Sequence, residues 1–138
     1  MDIAKGRYER TSEEKYDECL KALGLNAVLR KAATASTPIM EITENDGQWK
    51  IKSSTILKTI ELKFQVGEIF EETTPDGRLV SSIVTIEDGN KFVCIQTAKK
   101  EGQKSTKTIR EFDKDGCIMT MEIIGTDVAC VQKFKRLS

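Results

Sequence analysis

The sequence predicts an all-β fold: an antiparallel meander of about ten strands closed into a barrel, with two short helices between the first strand and the second. Three observations carry this. After Pro38, apolar and polar residues alternate, as where Ile60, Leu62, Phe64 and Val66 are separated by Glu61, Lys63 and Gln65, the period of a strand with one wet face. Asp-Gly pairs at 46–47, 76–77, 88–89 and 115–116 separate these runs, and such pairs are strong hairpin signals because a type I′ turn requires positive φ at both central residues. Residues 11–36, in contrast, have the helical period.

A first strand is predicted over residues 6–10. In the helical stretch, Tyr16, Cys19, Leu20 and Leu23 follow the spacing i, i+3, i+4, i+7, and Val28, Leu29, Ala32 and Ala33 repeat it. Thr11 and Glu14 have capping-box spacing, Gly24 is placed to end the first helix, and Asn26 is placed to cap the second. Thr37-Pro38 closes the segment, because a residue before proline is pushed out of the helical region. Strands are then predicted around 39–43, 49–53, 60–66, 79–86, 92–97, 106–112, 118–124 and 128–134, with Gly67, Gly102 and Gly125 at further reversals. A meander of this length must expose its edges or close on itself, and closure is the common solution. A barrel of about ten strands is wider than the eight-stranded barrels that side chains just fill, so it predicts an internal pocket, with the helix pair available as a lid.

Composition narrows the function. The 138 residues fit one domain, 1–138, large enough to bury roughly two thirds of its unfolded surface. Twenty-two Lys+Arg balance 22 Asp+Glu, which argues against a general nucleic-acid binder, since that needs a basic excess to displace counterions. There is no histidine, and hence no Ser-His-Asp or Cys-His nucleophile system, no imidazole base and no His-containing zinc site; no cofactor or metal is expected. No window approaches the roughly 18 consecutive apolar residues of a membrane span, and the first residues lack a signal peptide's apolar stretch, so a soluble, cytoplasmic protein is expected. Cys19, Cys94, Cys117 and Cys130 are widely spaced among apolar neighbours and read as reduced core thiols.

Specific residues add a resemblance. Gly6-Arg7-Tyr8, the run from Ser12 through Leu20 (Ser-Glu-Glu-Lys-Tyr-Asp-Glu-Cys-Leu), Leu23-Gly24-Leu25, and above all the run Val66-Gly67-Glu68-Ile69-Phe70-Glu71-Glu72-Thr73-Thr74-Pro75-Asp76-Gly77-Arg78 are similar to the intracellular lipid-binding protein family. That family includes the fatty-acid-binding proteins and the cellular retinoid-binding proteins, and the resemblance runs end to end. It implies a ten-stranded antiparallel up-and-down β-barrel (a β-clam), a helix-turn-helix lid within about 12–36, and one long-chain lipid inside. Two departures stand out, both assigned to the barrel floor: Arg10 replaces a usual apolar residue, and Ile3-Ala4 replaces an early phenylalanine.

In the family, an arginine on the eighth strand and an arginine-x-tyrosine pair on the last hold the ligand carboxylate. Arg110 matches the first, whereas Gln132 and Phe134 stand at the second and third positions, a pairing similar to the retinol-binding branch. A buried guanidinium is costly without an anion or acceptors, so Arg110 favours an acid over an alcohol, and Gln132 can donate from its amide. Period two carries the same face to Thr106 and Thr108, to Cys117, Met119 and Met121, and to Cys130. Methionines suit a flexible alkyl chain. The resemblance further implies ligand or portal positions at Tyr16, Leu20, Leu29, Arg30, Ala33, Pro38, Met40, Thr55, Ile56, Leu57, Asp76 and Arg78. Asp76 and Arg78 have the spacing for an ion pair at the cavity wall, and Lys21, Arg30 and Lys31 on the lid are placed to meet anionic membranes in transient contact. The expectation is a monomeric, non-enzymatic carrier of a long-chain fatty acid, able to enter the nucleus. A retinoid (retinol or retinal) carrier is the nearest alternative, and a membrane- or receptor-docking interaction module is the alternative of another class. A thiol enzyme lacks a base.

Overall fold

The computed structural model describes residues 1–56 and 58–138. A 3-10 turn over Asp2–Ala4 precedes β1 (Gly6–Glu14), α1 (Tyr16–Ala22) and α2 (Ala27–Ala35). The strands β2 (Ile39–Asn45), β3 (Gln48–Ser54), β4 (Thr59–Gln65), β5 (Phe70–Thr73), β6 (Leu79–Glu87), β7 (Lys91–Ala98), β8 (Thr106–Phe112), β9 (Gly116–Ile123) and β10 (Ala129–Arg136) follow. They form one antiparallel sheet in the order β4-β3-β2-β1-β10-β9-β8-β7-β6-β5, the ten-stranded barrel with its helix pair between β1 and β2.

Closure differs from the expectation. The chain's first and last strands pair in the middle of the sheet, while its two outer strands, β4 and β5, share no ladder among the described residues, so the barrel is nearly closed rather than closed. β5 has only four residues, too few for alternation to reveal, and it was not among the periodic runs. At this seam, the Gly67 N–H skips β5 and donates to the Val84 carbonyl of β6 at 2.8 Å. What bridges the seam is aromatic packing. Phe92 of β7 meets Trp49 of β3 (centroids 5.0 Å apart), Phe64 of β4 (5.4 Å) and Phe112 of β8 (5.8 Å), all near edge-to-face, the favoured geometry for such pairs. With Tyr8, Met40, Cys117 and Phe134 they form the core that fills the end of the barrel opposite the lid.

The helical segment begins later than predicted. Residues 11–14 continue β1, which keeps pairing with β10 past a bulge between Arg10 and Ser12, so the Thr11–Glu14 capping box does not form. Lys15 turns the chain instead with φ 62°, and the first free N–H of α1, from Tyr16, donates to Glu13 Oε2 at 3.1 Å. The cap predicted at Asn26 is present: its Oδ1 accepts from Leu29 N–H at 3.0 Å.

Of the four Asp-Gly pairs, 46–47 and 88–89 have positive φ at both residues, as a type I′ turn requires. Asp76 does not, and Asp115-Gly116 has it at neither position. There Asp113 makes the turn, its Oδ1 accepting from the N–H groups of Asp115 and Gly116, and Gly116 is needed for another reason: a Cβ would stand 2.0 Å from the Phe134 carbonyl oxygen.

Candidate ligand site

Directly opposed residues of an antiparallel pair share a face, so the ladders define the inner wall. Arg110 of β8 lies between Phe92 of β7 and Met119 of β9, and Met119 lies opposite Gln132 of β10. Thr108, Met121 and Cys130 form the next row towards the lid, and Phe112, Cys117 and Phe134 the row below, within the aromatic floor. Eight of the expected site residues are therefore on one continuous face. Phe134, Cys117 and Met40 are packed into the floor, whereas Thr108, Arg110, Met119 and Met121 face inward yet are only half-buried, so the interior above the floor is not filled by side chains.

Arg110 has an unusual environment. Among the described residues, its Nε is the buried side-chain nitrogen or oxygen with no hydrogen-bond partner. Its positive field reaches Cys94 and Cys117, whose thiols burial pushes up to about 11 and about 12 while the guanidinium pulls each the other way. Cys94 also feels Glu72, which belongs to an inward-facing polar chain: Ser82 and Gln96 both donate to Glu72 Oε2, and Thr106 donates to Gln96 Oε1. Alternation put Thr106 on this wall, but nothing in the sequence pairs it with residues of β5, β6 and β7.

Arg10 corrects the expectation most sharply. It does not belong to the floor. Its side chain rises towards the lid, 8 % exposed, where Nη1 donates to Gln132 Oε1 at 3.0 Å and Nη2 donates to the carbonyls of Ala33 (3.2 Å), Thr34 (3.3 Å) and Ser36 (2.8 Å) at the end of α2. Its Cζ stands 5.3 Å from the Tyr16 ring centroid. Burial raises the Tyr16 phenol pKa and the Arg10 charge opposes that rise. The signal was available: a charged residue at an inward position of β1.

The remaining expected residues spread over the lid and its surroundings. Leu20 is buried in α1, and Cys19 joins Cys130 and Ile123 in a second core beneath that helix, with Tyr16 and Met121 against it. Pro38 accepts from Arg10 N–H at 3.1 Å. Asp76 and Arg78 form a buried ion pair, with Nε–Oδ2 at 2.6 Å and Nη2–Oδ1 at 3.2 Å, while Arg78 Nη1 donates to the Lys104 carbonyl. Leu29 and Ile56 are exposed, as is Val28, and Leu57 lies outside the described residues. Of the lid cations, Arg30 is occupied by Asp17 and the Leu25 carbonyl, leaving Lys21 and Lys31 in solvent. No helix among the described residues is long and apolar enough to cross a membrane.

A nearly closed ten-stranded barrel, floored by aromatics, lidded by two helices and carrying an arginine on its inner wall, defines a class of carrier that encloses a small hydrophobic ligand. The chain belongs to the lipocalin / cytosolic fatty-acid binding protein family, whose model matches residues 5–137. It is 43% identical over 133 residues to cellular retinoic acid-binding protein 1 of Homo sapiens, covering 95% of this chain and 96% of that one. Among solved structures it is similar to apo lipid binding protein 8 of Caenorhabditis elegans (TM-score 0.93, 28% identity, 99% of this chain and 96% of that one). A fatty acid binding protein of Schistosoma mansoni, solved with arachidonic acid, superposes with TM-score 0.90 at 26% identity, covering 100% and 98%. It is thus a lipid-binding protein of a family of carriers.

Proposed function

We propose that this protein is a cytoplasmic, non-enzymatic carrier of a long-chain fatty acid, held inside the barrel with its carboxylate on Arg110 and its chain running towards the lid. The observation that carries the reading is the buried Nε of Arg110, which has no acceptor among the described residues and lies in the row directly above an apolar floor. A guanidinium so placed is stabilised by an anion, through a charge-assisted bond of about 1.5–3 kcal/mol. Gln132 supports the same headgroup. Its Oε1 is taken by Arg10, so the end of the amide left for a ligand is the NH2 donor. Met119 and Met121 offer an adaptable wall to an alkyl chain.

A second reading is a retinoid carrier, favoured by the 43% identity to a cellular retinoic acid-binding protein. Retinoic acid presents the same carboxylate to Arg110, whereas retinol and retinal present none.

Competition against a fluorescent fatty acid on delipidated protein separates these readings. Oleate is expected to displace the probe, and Arg110→Gln to weaken oleate about 10–100-fold. Displacement by retinoic acid in preference to oleate would support the second reading. Displacement by retinol but not oleate, or an Arg110→Gln variant that binds oleate unchanged, would overturn the carboxylate anchor.

A further inference from the structure

Arg10 is a buried cation with no carboxylate partner among the described residues: its donors are used on one amide oxygen and three main-chain carbonyls, and its face lies against Tyr16. Those carbonyls end α2, where the helix dipole is negative, so the guanidinium is matched to that end by charge as well as by hydrogen bonds. The same group is bonded to Gln132, which stands across Met119 from Arg110. One side chain therefore touches both the lid and the headgroup end of the inner wall.

We infer that Arg10 is a specificity-determining positioning residue, which orients Gln132 as a donor towards a carboxylate on Arg110 and couples occupation of that headgroup site to closure of the lid. This rests on the carboxylate reading above. Two steps lead to it. First, the amide of Gln132 has one oxygen and one NH2 group, and a guanidinium can bond only the oxygen, so Arg10 turns the NH2 end away from itself. Second, an amide that donates to an anion becomes a better acceptor at its oxygen, because hydrogen bonds in a chain polarise one another. A bound carboxylate thus tightens the Gln132–Arg10 bond and, through Arg10, the hold on Ala33, Thr34 and Ser36. A neutral hydroxyl headgroup on the same chain is a weaker acceptor than a carboxylate and gives less of this tightening. Arg10 acts here through Gln132 and is not itself placed on the ligand.

The test compares oleate with oleyl alcohol on wild-type, Arg10→Met and Gln132→Glu proteins, reading affinity together with amide exchange at residues 33–36. In the wild type, oleate is expected to protect these amides more than the alcohol does. Arg10→Met is expected to weaken oleate about tenfold, one charge-assisted bond's worth, to leave the alcohol within twofold, and to abolish the difference in protection. Gln132→Glu keeps an acceptor for Arg10 but places an anion beside the ligand's. It is expected to retain protection of the lid without ligand and to reject oleate selectively. Equal losses for acid and alcohol in Arg10→Met would make Arg10 a plain anchor of the lid and overturn the inference, as would no loss for either. Failure of the carboxylate reading is distinguishable, since it requires Arg110→Gln to bind oleate as the wild type does.

Discussion

Replacing Arg110 with methionine should raise the stability of the ligand-free protein and remove much of its response to ligand. The two effects can be sized. Nε is buried without an acceptor among the described residues, and leaving a donor in that condition costs about 1–3 kcal/mol. Methionine retains most of the apolar stem, between Phe92 and Met119, and has no donor to satisfy. Delipidated Arg110→Met is therefore expected to be more stable than wild type by about 1–3 kcal/mol, several degrees in Tm for a chain of this size. A ligand that binds the folded state stabilises it by RT ln(1 + [L]/Kd), and loss of the charge-assisted bond cuts that gain by about 1.5–3 kcal/mol. The two changes have similar size and opposite sign, so wild type and variant should converge in excess oleate after starting apart. Urea unfolding followed by the fluorescence of Trp49, the chain's one tryptophan, measures both. A ligand-free variant less stable than wild type would mean that Arg110 is a structural residue, and equal oleate increments in the two proteins would refute its role as anchor.

Phe92→Ala removes the hub of the aromatic floor and should cost about 3–5 kcal/mol in chemical denaturation. Because that hub bridges the seam, amide exchange should accelerate in β4 and β5 more than in β9. Asp76→Asn leaves the Arg78 guanidinium buried without its counter-charge and should cost about 3–5 kcal/mol, and in a double-mutant cycle with Arg78→Gln the double variant should cost less than the sum of the two single variants. Burial raises the thiols of Cys94, Cys117 and Cys130 from 9.0 to about 11, 12 and 12, so they should resist alkylation at pH 8 and react at once in denaturant. A pKa raised in the folded state gives stability that is full below pH 9 and is lost as pH rises towards 12. Stability should therefore fall across that window, and less steeply in Cys117→Ala.

The barrel was legible because its evidence is local and repeated. Ile60 to Val66 alternates whatever the rest of the chain does, and Asp46-Gly47 and Asp88-Gly89 make their turns from their own backbone preferences. Misreadings arose where a distant partner overrode a local signal. Thr11 to Glu14 has the spacing of a capping box, yet β10 recruits these residues from more than a hundred positions away. Gly116 looks like a turn glycine and is present because the Phe134 carbonyl needs its room. At the site, the family resemblance put Arg110 and Gln132 on one face and alternation extended it along each strand, but the partner that fixes the Gln132 amide is Arg10, 122 residues away in sequence, and no pattern in the chain announces a bond of that span. The polar chain from Glu72 to Thr106 was hidden for the same reason, with β5 too short for its period to be read.

The position of the seam bears on how the chain assembles. Among the described residues, the sheet's order leaves the consecutive strands β4 and β5 without a ladder and places the most distant pairing, β1 with β10, inside the sheet. Strands 1–4 and strands 5–10 are therefore two meanders, each made of neighbours in sequence and able to zip locally. The β1–β10 ladder, the aromatic floor and the packing of α1 on β9 and β10 join them, and the ladder closes a long loop whose entropy its contacts must offset. Docking of the two meanders should then be the slow step of folding. A cut between Gly67 and Glu68 severs no ladder. The pieces 1–67 and 68–138, mixed after separate preparation, should associate into a barrel that still sequesters lipid, and lipid should tighten their association.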